Sequence, residues 1–233
     1  QQLSDYSSNR IPVAYEQIPD NLKNAFISIE DERFYEHDGI DFKGILRALW
    51  TDIRNGSTSQ GASTLTQQLI KNNVFEAGGE TNIIAKVKRK IQEQYLAIIA
   101  EKKYNKEDIL TNYLNTINLG KGNLGVEAAS KYYFGKSVNE LTLSECAVLA
   151  GITKNPTFLN PVDYPEDNDT RRKLILKKMY QLNYISDTEY QSALEDKVYA
   201  RIANKTAQGR KNSVYSYFTD AVITKVVSDL QQQ

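Results

Sequence analysis

The residues best suited to chemistry lie in SIEDERFYEHDGID, residues 28 to 41, where Glu30, Asp31, Glu32, Glu36, Asp38 and Asp41 surround His37, the chain's single histidine. Such a stretch fits a metal site, a catalytic carboxylate with its supports, or a solvated charged turn closing at Asp38-Gly39. Metal binding through one histidine is the weakest of the three. If the segment opened by Pro19 is helical as far as Glu30, Phe26 and Glu30 share a face, which sets that carboxylate at the edge of an apolar stripe. A carboxylate at the rim of an apolar cleft suits a general base working near neutral pH.

Two more stretches could handle an anion. In GASTLTQQLIK, residues 61 to 71, small residues run into a Ser/Thr cluster that starts a helix. Free backbone N–H groups and the positive dipole end there could face a phosphate, with Lys71 adding a full charge; an ordinary capped helix fits equally. In AKVKRKIQE, residues 85 to 93, Lys86, Lys90 and Glu93 fall on one face and Arg89 lies four residues before Glu93. That grouping presents cations with one carboxylate, or a salt-bridged solvent face.

Helices must position these groups. Leu22, Ala25, Phe26 and Ile29 recur at helical spacing after Pro19, and Phe42, Ile45, Leu46, Leu49, Trp50 and Ile53 repeat the pattern more strongly. The second stripe is wide enough to pack on the domain or to dip into lipid. The helix through residues 85 to 93 is expected to bury Ile84, Val87, Ile91, Tyr95 and Ile98. Thr64 with Gln67, Thr142 with Glu145 and Ser186 with Glu189 have capping-box spacing, and Gly120, Gly135 and Gly151 sit where helices would stop. Alternating strand patterns are scarce. NPTFLNPVDYP, residues 155 to 165, holds three of the five prolines and reads as an ordered loop. Near residue 200 the sequence turns polar and broken, which places a boundary there.

Composition sets outer limits. A chain of 233 residues can bury one core and carry an appendage. Lys+Arg and Asp+Glu both number 29, so an anionic ligand must be held by local cations, and bulk nucleic-acid binding is disfavoured. Cys146 is the only cysteine, which excludes an intrachain disulfide and a cysteine-built zinc site. No run of 18 apolar residues and no leader pattern is read in this stretch.

EDERFYEHDGID, GASTLTQQLIKN, RKIQE, ILTNYLNTINLGKGNLGVEAASKYYFGK and LTLSECAVLAGITKNPTFLNP, in this order, resemble the five motif regions of the peptidoglycan glycosyltransferase domain of class A bifunctional penicillin-binding proteins. The resemblance runs from about Ile11 to Leu194. It implies a mainly α, lysozyme-like domain over residues 1–200 with a small membrane-contacting jaw. Residues 201–233 would lead towards a transpeptidase domain outside this sequence, as an N-terminal membrane anchor would be. The implied reaction transfers a growing lipid-linked glycan from undecaprenyl pyrophosphate onto the 4-hydroxyl of lipid II, with inversion, at the outer face of the bacterial cytoplasmic membrane. Pyrophosphate leaves once its charge is neutralised, so one base and a set of cations suffice, where a glycosidase needs a second carboxyl group as acid.

By resemblance Glu30 is the catalytic base, with Asp31, Phe34, His37, Gly39 and Asp41 shaping that motif and His37 a structural hydrogen-bonding residue. Glu93 is the second acidic residue, its work open between positioning the acceptor and binding a divalent cation, Mg or Mn, that some members use. The substrate-binding set comprises Asp31, Arg47, Ser63, Thr64, Gln67, Gln68, Lys71, Lys86, Arg89 and Lys90. Partners implied are lipid II, the growing strand, the membrane surface and moenomycin-type inhibitors. The chain departs from the family pattern at Asn118-Leu119, Leu124 and Thr153, where proline is usual at the last, and these departures are expected to be structural. A lysozyme-like hydrolase or lytic enzyme, and an inactive scaffold that binds lipid II, are the competing classes.

Overall fold

Pro19 caps the first helix in extended backbone, φ −64° and ψ 146°, and α1 runs Asp20–Glu30. There follow α2 (Phe42–Asn55), α3 (Leu65–Val74), α4 (Ile83–Lys103), α5 (Lys106–Thr116), α6 (Val126–Phe134), α7 (Leu143–Ile152), α8 (Pro165–Gln181) and α9 (Asp187–Glu195). The computed structural model describes residues 9–55, 63–75 and 82–202. Among them the only sheet is a parallel pair of two-residue strands, β1 (Asn9–Arg10) and β2 (Asn123–Leu124). The expected boundary near residue 200 borders a segment outside the described residues.

The helix LSECAVLAGI is apolar almost all round, so it must be buried on every side. That is α7, opened by a complete capping box of Thr142 and Glu145 and packed between α1 and α8. Its Cys146 is buried, and burial pushes the thiol far above its ordinary range. A second group packs α3 on α4 and α5. One continuous core, including Phe26, Leu65, Leu110, Tyr113, Val148 and Leu176, joins the two groups. Glu30, at the last turn of α1, lies at their seam.

Ser186 and Glu189 form the expected capping box of α9, and Gly135 ends α6 in the left-handed conformation. Gly151 is the penultimate residue of α7 rather than its cap. It lies inside α7, where an added Cβ would come within 3.3 Å of Asn168 and 3.4 Å of Arg171, so its smallness serves close packing on α8. Gly120, at φ +78°, turns the chain four residues after α5 ends. The proline-rich loop is ordered: the Asn168 side chain holds Leu159 O at 2.7 Å and Val148 O at 3.2 Å.

The expected buried stripe of α4 is overturned. Ile84, Val87, Ile91 and Tyr95 are exposed, Ile84 by 75%, and Ile83 joins them. The buried face carries Glu93, Ala97 and Glu101 instead, because each carboxylate meets partners there and the small Ala97 admits a neighbouring loop. Burial of charge is tolerable when it is paired and hydrogen-bonded. On α2, Phe42, Leu46 and Trp50 are likewise exposed while Gly44 and Ala48 face inward. The side chains of Leu49 and Ile53 lie outside the described residues.

Candidate active site

Glu30 has one neutral donor on each oxygen. Gln68 Nε2, from α3, donates to Oε2 at 2.9 Å, and Thr153 Oγ1, just past α7, donates to Oε1 at 2.5 Å. Gln68 is itself oriented, because Tyr113 OH from α5 donates to its Oε1 at 3.2 Å. Tyr113 is fully buried; burial, then the charges of Glu30 and Asp31, push its phenol well above the ordinary range. Arg171 of α8 also senses Glu30: burial lowers its guanidinium while Glu30 opposes, and its Nε is buried without a hydrogen-bond partner. Among the described residues Glu30 forms no ion pair.

The loop after Glu30 is pinned from several sides. Gly39 N–H donates to His37 Nδ1 at 3.2 Å, which leaves His37 Nε2–H to donate to Asp31 at 3.0 Å. Asp31 Oδ2 also accepts from Leu65 N–H at 2.9 Å, and Thr64 Oγ1 accepts from Gln67 N–H while donating to Gly39 O at 2.8 Å. The start of α3 is therefore occupied by the chain's own groups rather than open to an external anion. Gly39 has φ +89°, and a Cβ there would stand 2.8 Å from the Ala97 carbonyl of α4, so only glycine fits. Lys106 closes the loop from below, donating to His37 O at 2.6 Å and to Glu101 at 2.9 Å, and Thr66 donates to Glu101 at 2.6 Å.

Glu93 is only 1% exposed and meets the cations directly. Arg89 pairs with one oxygen and Lys90 with the other at 3.2 Å, and Lys90 also donates to Ser63 Oγ at 2.7 Å and Gln67 Oε1 at 3.4 Å. Ser63, Gln67, Arg89, Lys90 and Glu93 thus form one group. Lys71 and Lys86 are exposed and stand outside it, while Arg47 pairs with Glu32, which Lys178 approaches at 3.6 Å. Asp31 and Thr64 are buried supports rather than surfaces a substrate could touch. Among the described residues no group of three His, Cys, Asp or Glu side chains converges, and both Glu93 oxygens are engaged by cations.

A model of the family described as "Transglycosylase" matches residues 1–180. The chain belongs to the transglycosylase family. "Penicillin-binding protein 1A" of Clostridium tetani is 44% identical over 96% of this chain and 29% of its own length. The protein of the same name from Clostridium botulinum is 43% identical over 97% of this chain and 28% of its own. That from Haemophilus influenzae is 47% identical over 82% of this chain and 22% of its own. The chain therefore spans under a third of the length of these relatives. A crystal structure of Penicillin-Binding Protein 1A from Haemophilus influenzae aligns over 82% of this chain and 18% of that one, with a TM-score of 0.49 and 29% identity.

In this transglycosylase, sequence reasoning reached Glu30, Gln68 and the Glu93 group but missed Thr153, Tyr113, Arg171, Glu101 and Lys106. Thr153 was expected to be structural, yet its hydroxyl touches the carboxylate. Arg171 and Tyr113 carry no local signal, because only tertiary packing brings α8 and α5 against the end of α1. Glu101 and Lys106 flank a helix boundary and read as solvated charges until the loop above them is placed.

Proposed function

We propose that this transglycosylase domain polymerises lipid II into peptidoglycan glycan strands, with Glu30 as general base. The observation that carries the reading is the contrast between the two carboxylates. Glu30 is held by neutral donors and is free to take a proton, whereas both Glu93 oxygens are engaged by cations. As the acceptor's 4-hydroxyl oxygen attacks the donor's anomeric carbon, its proton passes to Glu30 and the bond to pyrophosphate breaks with inversion. Lys90 and Arg89, gathered at Glu93, supply the charge that meets the leaving pyrophosphate. Phosphoglycolipid inhibitors of the moenomycin type would use the same cations. A hydrolase would need a second free carboxyl group, and Glu93 does not offer one.

Exposed apolar residues of α2 and α4 support a reading in which the domain lies against the membrane that carries its lipid-linked substrate. Trp50 is 71% exposed, and Lys86 and Lys88 on α4 suit anionic headgroups beside the stripe of Ile83, Ile84, Val87 and Ile91. No described helix is long and apolar enough to cross a membrane, so α2 and α4 would lie on it. Extracytoplasmic work and a connection from residue 201 towards a transpeptidase complete the reading. Incubation with purified lipid II tests it: long glycan chains are expected from the wild type, and at least about 100-fold slower synthesis from Glu30→Gln with donor binding retained. Cleavage of finished peptidoglycan, or binding without product, would replace it with the hydrolase or scaffold reading.

A further inference from the structure

Thr153 has one hydroxyl proton and two acceptors. Its Oγ1 lies 2.5 Å from Glu30 Oε1 and 2.9 Å from Ala150 O, so the proton points to one while the other waits. The other Glu30 oxygen has no such freedom. Tyr113 OH donates to Gln68 Oε1, which fixes the Gln68 amide with its NH2 towards Glu30 Oε2, and an NH2 group can only donate. Glu30 therefore has one permanent donor and one partner able to reverse.

We infer that Thr153 is a positioning residue for the transfer step: its hydroxyl donates to Glu30 Oε1 before reaction and accepts from Oε1–H afterwards, making Oε1 the oxygen that receives the acceptor's proton. The balance is simple. The 4-hydroxyl O–H bond breaks, the Oε1–H bond forms, and the Thr153 proton turns from Oε1 to Ala150 O without leaving its oxygen. Ala150 belongs to the fully buried last turn of α7, so the waiting acceptor is fixed in place. The carboxylate keeps two hydrogen bonds before and after it gains the proton, and rearrangement is confined to two O–H rotations, that of the Thr153 hydroxyl towards Ala150 O and that of the new Oε1–H bond from the acceptor's side towards Thr153 Oγ1. Such preorganisation lowers the cost of charge change at the base. Without the hydroxyl, Glu30 would be held through Oε2 alone and free to swing, and small misplacements of a reacting group are costly.

The inference rests on Glu30 being the base, and the test separates the two. Polymerisation of lipid II is measured for wild type, Glu30→Gln, Thr153→Val, Thr153→Ala and Thr153→Ser, with kcat and KM resolved and Tm recorded. Thr153→Val, which keeps the branched shape, is expected to lower kcat about ten- to a hundredfold, the scale of one hydrogen bond to a charged group. KM and Tm should be near wild type, Thr153→Ala should match Thr153→Val, and Thr153→Ser should restore kcat to within about threefold. Wild-type kcat in Thr153→Val or Thr153→Ala, with Glu30→Gln inactive, overturns the inference and leaves the base. Loss of kcat in Thr153→Ser together with a lowered Tm in all three overturns it in favour of a packing role. Full turnover in Glu30→Gln removes the base assignment itself, and the inference with it.

Discussion

Glu30 and Glu93 show how the same functional group is set to different work by what touches it. Neutral donors orient Glu30 without cancelling its charge, whereas Arg89 and Lys90 make Glu93 a hub that gathers two cations. A third carboxylate, Asp41, fixes the loop between Glu30 and α2. Burial alone would raise it, but the Gly44 N–H at 2.9 Å and the Arg33 guanidinium at 2.5 Å outweigh that, and the carboxyl lies below its ordinary value of 3.8. A folded value below the unfolded one adds stability above about pH 4, lost as pH falls through the folded value. Asp41→Asn keeps a helix-capping oxygen but loses the ion pair. Urea denaturation should find it less stable than wild type at pH 7, with the gap closing as pH drops below about 4; a pH-independent gap would mean that the ion pair contributes nothing.

Among the elements, α4 does two jobs on two faces. Its inward face carries Glu93, Ala97 and Glu101 under the catalytic loop, and its apolar face is turned to the surface. Lys90→Met should weaken binding of a fluorescent lipid-pyrophosphate analogue about ten- to a hundredfold, the loss of one charge-assisted contact, while slowing polymerisation as well. Unchanged affinity would remove Lys90 from the pyrophosphate site. The outer face makes a separate prediction together with α2. Anionic vesicles should shift Trp50 fluorescence to the blue, and replacing Ile84, Val87 and Ile91 together by Ser should weaken vesicle binding without lowering Tm, because these side chains bury little in the fold. A Tm loss of several degrees in that variant would show that the stripe packs on the protein.

At the scale of the whole molecule, the catalytic seam depends on packing far from it. Arg172 of α8, only 2% exposed, reaches Ser144 at 2.8 Å, Ala193 O at 2.5 Å and Asp169 at 2.8 Å, and so ties α7, α8 and α9 together. Arg172→Met removes these bonds, although Ala193 O keeps the Ser144 hydroxyl and Asp169 keeps Lys173, and should cost about 1–3 kcal/mol of unfolding free energy by urea titration; a loss below about 0.5 kcal/mol would mean that water replaces the guanidinium. The sequence by itself determined the local order: where helices start, through Pro19, Thr64, Thr142 and Ser186, and which short stretches carry Glu30 and the cations gathered around Glu93. Those features depend on residues within a turn or two of each other, and so are written in spacing. The tertiary structure alone decided which face of α4 is buried, because apolar periodicity marks a face without saying whether protein or lipid covers it. It also decided that Asp31 and Thr64 are supports and that Thr153 touches Glu30, since such contacts join residues distant in the chain and depend on how α1, α3, α5, α7 and α8 converge.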